Sequence, residues 1–182
     1  MPDYIITYKK QHINPMNPDK DTLLIEDIAH ALSRIPRANA QLPIFYSVAQ
    51  HSLACCNEAI ARNLSTKLCL ACLMHDASES YMADIIRPVK KNLDAYMKIE
   101  KNLQDTIYEK FVGDLSDEER IIIAEIDDAM LYQEFFVLMH ERVLEELPIK
   151  TKPEFVTLDF ATIEKEFLMM YNRLHNGLHK EK

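Results

Sequence analysis

Met74-His75-Asp76-Ala77-Ser78-Glu79-Ser80-Tyr81-Met82-Ala83-Asp84 is the stretch around which the chain is organised. The residues before it, Leu68-Cys69-Leu70-Ala71-Cys72-Leu73, are wholly apolar. They read as a buried helix that runs into an acidic pocket. Ionised carboxylates are seldom buried unless they are paired or bind a metal. His75, Asp76, Glu79 and Asp84 are therefore candidate cation ligands or acid/base groups.

Ser65 or Thr66 caps this helix, and the pattern places His75 and Asp76 on it. Consecutive helical residues point about 100° apart, so both reach one ion only if it sits over their shared edge. A further ligand must then come from a neighbouring helix. Ser47-Val48-Ala49-Gln50 is a capping box, Ser at N-cap and Gln at N3. It opens a helix over residues 48–63 and puts His51 in its first turns. A third contribution lies in Ile121-Ile122-Ile123-Ala124-Glu125-Ile126-Asp127-Asp128-Ala129-Met130-Leu131, an apolar helix interrupted by two adjacent Asp. Asp127 shares a face with Ile123, Ala124, Met130, Leu131 and Glu134, and that face is the inward one. Asp128 is the alternative. A single Asp on a helix is more often solvated, and a single His on an apolar face is more often a satisfied core residue. His30 fits that second description. The bland explanation fails for His51, His75, Asp76 and Asp127 together, since separate helices each set a metal-ligand type among apolar neighbours.

Residues 1–20 carry Pro2, Pro15 and Pro18 and read as a loop-rich lead-in, with an extended piece between Tyr4 and Tyr8. Asp21 or Thr22 caps a helix that runs to residue 35 and is stopped by Pro36. Arg34 and Arg37 sit at its end. Such a pair is commonly a solvated surface; the functional reading is a phosphate contact through the planar guanidinium fork. Pro88 breaks the chain after Asp84. A helix follows over residues 94–111, ended by Gly113. Ser116-Asp117-Glu118-Glu119 is a second capping box and opens a long helix to about residue 146, before Pro148. The last helix covers residues 159–175, with Gly177 just past its end.

The expectation is an all-α bundle of about six helices. It forms one domain over residues 1–182, with residues 157–182 as C-terminal helix and tail. A chain of 182 residues, 48% hydrophobic, is long enough for a good core. Its two glycines, Gly113 and Gly177, are too few and too far apart for a Rossmann or P-loop phosphate cradle. A net charge of -8 disfavours a nucleic acid polymer, which needs a basic surface. A small anionic substrate needs only a local metal and one or two cations. No apolar run reaches the roughly 18 residues of a membrane span, and no signal peptide is apparent. A cytoplasmic protein with reduced thiols is expected.

Cys69-Leu70-Ala71-Cys72 with His75 reads C-x2-C-x2-H, which rivals the carboxylate site as a zinc or redox motif. A structural zinc site usually lies at a turn, with a second ligand pair elsewhere. This pair lies inside an apolar helix, so core packing is the favoured role. The same holds for Cys55 and Cys56.

His75-Asp76 resembles the paired His-Asp of the HD superfamily of metal-dependent phosphohydrolases. The longer string His75 to Asp84 is similar to that of bacterial 5'-deoxynucleotidases and of their phage-encoded relatives. The likeness extends to Tyr46-Ser47-Val48-Ala49-Gln50-His51-Ser52, to residues 75–90, to residues 126–139, and to Ile25-Glu26-Asp27-Ile28-Ala29-His30-Ala31-Leu32-Ser33-Arg34. That is roughly residues 1–140.

The resemblance implies an HD-type helical domain. Its one divalent transition ion (Co, Mn, Zn, Ni or Fe) would be held by His51, His75, Asp76 and Asp127. Two imidazoles and two carboxylates suit such an ion and leave positions for water and substrate. The resemblance further implies that Glu79 helps position or activate water. It makes Asp84 the acid/base or the orienter of that water. An Arg upstream of the first metal His would contact phosphate; Arg37 matches better, and Arg34 stays open. Lys90, in Pro88-Val89-Lys90, would meet phosphate too. The implied activity is hydrolysis of a deoxynucleoside monophosphate. Triphosphate hydrolysis is the alternative, and a metal-containing nucleotide sensor is the alternative outside enzymes. The expected partners are a small nucleotide and a second copy of the chain, with no nucleic acid polymer and no membrane.

Overall fold

A computed structural model describes residues 2–178 of the chain. Residue 1 and residues 179–182, the end of the expected C-terminal tail, lie outside the described residues. An antiparallel pair of short strands, β1 (Ile5–Ile6) and β2 (His12–Ile13), opens the fold. The extended piece expected between Tyr4 and Tyr8 is thus present. Buried Asp27 pins it, accepting from the Thr7 hydroxyl at 2.7 Å and the Lys9 backbone N–H at 2.7 Å.

Six helices of eight or more residues follow among the described residues. They are α1 (Ile25–Leu32), α2 (Val48–Ala61), α3 (Thr66–Leu73), α6 (Asp94–Phe111), α7 (Asp117–Met139) and α8 (Phe160–Leu178). Two single turns, α4 (Glu79–Met82) and α5 (Arg87–Lys90), lie between α3 and α6. The chain is therefore an all-α bundle. Ser47 and Ser116 form the expected capping boxes, and Ser65 caps α3 through the Leu68 N–H.

Five boundaries differ from the sequence reading, among them the end of α1, which stops at Leu32 and not at residue 35. Asp19, not Asp21 or Thr22, makes the first cap. It closes a short 3-10 turn at Lys20–Thr22, and α1 begins only at Ile25, after extended Leu24. α3 ends at Leu73, so His75 and Asp76 are not on it. Beyond Met74 the backbone tightens to i→i+3 bonds, Ala77 to Met74, Glu79 to Asp76 and Ser80 to Ala77. α7 ends at Met139, where His140 takes a left-handed conformation with φ 59. The chain then departs to reach α2 instead of continuing towards residue 146. Gly177 lies inside α8, not past its end, and a Cβ there would stand 3.1 Å from Thr66 Cγ2. Close approach of α8 to α3 explains the small residue.

α2 packs against α3, α7 and α8, and α8 also crosses α1 and α3. One apolar cluster joins these elements, from Ile13 through Leu73, Ile107 and Ile126 to Phe167 and Leu174. Leu70, Leu73 and Met74 are wholly buried. Each such side chain contributes about 1.5–3 kcal/mol of burial, which fixes the end of α3 where the polar residues begin. No helix is long and apolar enough to cross a membrane among the described residues.

Candidate metal centre

His51 enters the bundle from the first turns of α2 because the Ser47–Gln50 capping box starts the helix there. Its ring is fully buried. His51 Nδ1 lies 2.6 Å from Glu134 Oε1, on α7. His75 sits in the tight turn after α3, and its Nδ1 lies 2.8 Å from the Cys72 carbonyl. That carbonyl belongs to the last turn of α3 and has no helical N–H of its own to accept. A carbonyl only accepts, so His75 Nδ1 must be the donor. Glu134 carries a pKa below the ordinary value. Burial opposes this, but His51 and Arg37 outweigh it. The ionised carboxylate also only accepts, so His51 Nδ1 donates as well.

In their neutral forms both rings therefore carry the lone pair on Nε2. These two nitrogens face each other at 3.2 Å. Asp127 Oδ1 lies 3.0 Å from His51 Nε2 and 3.7 Å from His75 Nε2. Asp76 Oδ2 lies 3.7 Å from His51 Nε2 and 3.3 Å from His75 Nε2. Four atoms of metal-ligand type thus converge, and a cation placed among them would take over from the protons that otherwise join imidazole and carboxylate. Ligands of one ion at about 2.0–2.2 Å stand roughly 3.0–3.6 Å apart. Three of the five separations fall within that range and the two at 3.7 Å lie just beyond it, and the donor types are those that hold a metal ion.

Asp127 and Asp128 part company here. Asp127 turns one oxygen to the histidines and the other to Arg87 Nη2 at 2.7 Å, whereas Asp128 is 41% exposed and pairs with Arg87 Nη1 at 2.5 Å. Contact with His51 and His75 holds the Asp127 carboxyl well below the usual range, against the opposing effect of burial.

Arg37 is buried beside the cluster, with Nη1 3.4 Å from Asp76 and Nη2 3.4 Å from Glu134. Its Nε finds no partner among the described residues. Arg34 is directed elsewhere, to Glu164 of α8 at 2.8 Å. His30 joins that outer group, 3.1 Å from Glu164 and stacked on Tyr8, as expected of a satisfied histidine.

Glu79 opens α4 and is 5% exposed; its Oε2 is buried without a partner among the described residues. Burial, then the charges of Asp76 and Asp84, push its carboxyl well above the ordinary range. Between Glu79 and Asp84 the chain turns through Ala83, at φ 69 and ψ 159, a conformation that strains a residue with a Cβ. Tyr96 holds the turn by donating to the Ala83 carbonyl at 3.0 Å. Asp84 is thus returned towards the cluster. Burial raises its pKa; Arg37 and His51 lower it and Asp76 raises it. Lys90 also reaches Glu79 and Asp84 electrostatically, but its ammonium is paired with Glu100 at 2.6 Å.

Four contributors were given no part in the site by the sequence reading. Glu134 lies seven residues after Asp127, two turns along the same face of α7, and that spacing is the signal that could have found it. Gln104 of α6 clamps the His75–Asp76 turn, donating to the Met74 carbonyl at 2.8 Å and accepting from the Ser78 N–H at 2.9 Å. Arg87 covers the outer side of Asp127. Cys55, read as core, is buried but has its Sγ 3.5 Å from His51 Nε2. Cys56, Cys69 and Cys72 are buried free thiols, as expected of packing residues. Clefts of about 400 Å³ beside Gln50 and Thr151 and about 510 Å³ beside Thr106 and Arg120 include none of the cluster residues. Donor chemistry, not cleft size, locates this site.

Fold and site thus define an all-α protein with a partly buried histidine–carboxylate cluster, in which His51, Cys55 and His75 could hold a metal ion. No protein-family model matches the chain. The chain is 36% identical over 108 residues to the uncharacterized protein YfdR of Escherichia coli, covering 59% of this chain and 58% of that protein. It is 34% identical over 107 residues to an uncharacterized protein of Rhodobacter capsulatus, covering 56% and 54%. The chain therefore spans little more than half the length of these relatives, and neither name states an activity.

Proposed function

We propose that this chain is a divalent-metal-dependent phosphohydrolase of the HD type, acting on nucleotides, with deoxynucleoside monophosphates as the first substrate. The observation that carries this is the convergence of His51 Nε2, His75 Nε2, Asp76 Oδ2 and Asp127 Oδ1. A divalent ion held there would supply a Lewis acid for a phosphoryl oxygen and a bound water of lowered pKa.

The remaining work falls to side chains around the cluster. Phosphate ester hydrolysis is mostly positioning and charge stabilisation, so few groups are needed. Arg37 keeps Nε free of protein partners among the described residues, which suits it to an incoming phosphoryl oxygen. Glu79 Oε2 is equally unengaged, and its raised pKa lets it hold a proton inside the pocket. Asp84, across the strained Ala83 turn, completes a pair of acids that the metal shell does not need. Lys90 adds positive charge to this wall. The nucleotide class follows from the resemblance of residues 75–90 to the deoxynucleotidases.

The test is a product analysis over nucleoside mono-, di- and triphosphates, with several divalent ions. Release of inorganic phosphate from deoxynucleoside monophosphates is the expected result. Release of triphosphate would assign the alternative substrate. Tight nucleotide binding with no turnover under any ion would make the chain a sensor and overturn the enzymatic reading.

A further inference from the structure

His51 and Cys55 lie one turn apart on α2, at i and i+4, so their side chains share a face. Both are buried, at 0% and 1% exposure. Cys55 Sγ stands 3.5 Å from His51 Nε2, the same nitrogen that faces His75 and Asp127. Ligand atoms of His51, Cys55 and His75 all lie within 4.8 Å of one another.

A thiolate at about 2.3 Å and an imidazole at about 2.1 Å on one ion are separated by roughly 3.1–3.6 Å, from octahedral to tetrahedral angles. The Cys55–His51 separation falls in that range.

We infer that Cys55 is a sulfur ligand of the metal centre and biases it towards thiophilic ions such as zinc, cobalt or iron over manganese and magnesium. This rests on the metal-centre reading above. When the sulfur–metal bond forms, the S–H bond breaks and its proton leaves to solvent, so the metal replaces a proton and no oxidant or reductant is needed. Hard oxygen-seeking ions gain little from a thiolate, whereas softer ions gain much. The preference would be built into α2 by the single spacing of Cys55 from His51.

The test uses the full chain stripped of metal and loaded with Co(II). Wild type should show visible d–d bands, which report cobalt in the site. It should also show a near-ultraviolet sulfur-to-cobalt charge-transfer band. Cys55→Ala should keep the d–d bands and lose the charge-transfer band, while Cys56→Ala and Cys72→Ala keep both. The preference of Cys55→Ala for zinc over manganese, measured by competition, should fall by about tenfold or more. Cys55→Ser serves as a closer match in size should the alanine variant fail to fold. Wild type with d–d bands but no charge-transfer band would overturn the sulfur ligand and leave the metal centre standing. Absence of d–d bands in wild type would overturn both.

Discussion

His51 Nδ1 and Glu134 Oε1 stand 2.6 Å apart, and both side chains are buried. The pair ties α2 to α7 and leaves His51 Nε2 free to face the cluster. A carboxylate behind a ligating imidazole fixes its tautomer and raises its basicity. Glu134→Gln keeps the shape but removes the charge that also meets Arg37. Metal affinity should fall by about 10- to 100-fold, read by titration of apo-protein with zinc. Unchanged affinity would reduce Glu134 to an ordinary buried acid.

Gln104 governs the other histidine. Its amide satisfies the Met74 carbonyl and the Ser78 N–H, on either side of His75–Asp76. Gln104→Leu would leave two backbone groups without these partners, at a cost of about 1–3 kcal/mol each. A lowered melting temperature and a several-fold weaker grip on metal are expected together. Loss of stability with metal affinity intact would show that the turn holds its shape without the clamp.

On the proposed reading Glu79 and Asp84 serve the chemistry and not the metal. On that reading neither carboxylate is needed to hold the ion. Glu79→Ala and Asp84→Ala should keep their metal and lose turnover by about 100-fold or more, with a much smaller change in nucleotide affinity. Metal analysis, binding and turnover on the same preparations decide it. Loss of metal from Glu79→Ala would instead move that carboxylate onto the ion.

Glu58 provides a pH handle distant in role from the site. It is fully buried on α2. It accepts from Arg62 Nε, from the Lys150 and Thr151 N–H groups and from the Thr151 hydroxyl. Burial alone would raise its pKa, but these donors outweigh it and set the folded value below the ordinary one. Its stabilisation is therefore present above the unfolded carboxylate pKa and is lost as pH falls through the folded one. Glu58→Ala should cost about 2–3 kcal/mol at neutral pH and flatten the acid limb of the stability curve. A wild-type-like acid limb in that variant would show that other carboxylates control acid unfolding.

Much of this protein was legible along the chain because its signals are local. Ser47–Gln50 and Ser116–Glu119 started helices where their capping chemistry requires, since a cap acts within four residues. The apolar run before His75 marked a buried helix, and the inward face of α7 narrowed the further ligand to the Asp127–Asp128 pair. These facts depend only on period and on the cost of burying charge.

Other features were decided by tertiary structure because they depend on partners far away in sequence. The sequence carried α7 to about residue 146, but the chain leaves the helix at His140 to bring residues 150–151 to Glu58 on α2. Asp127 differs from Asp128 only through what each meets across the bundle, one the histidines and the other Arg87 and solvent. Arg37 rather than Arg34 entered the cluster because Glu164, 130 residues beyond Arg34, claimed the other guanidinium. The residue types at the site were set by sequence. Their tautomers, their pairing and the place of Cys55 beside them were set by helix packing, since only folding brings acceptors from α2, α7 and the turn after α3 within 4 Å.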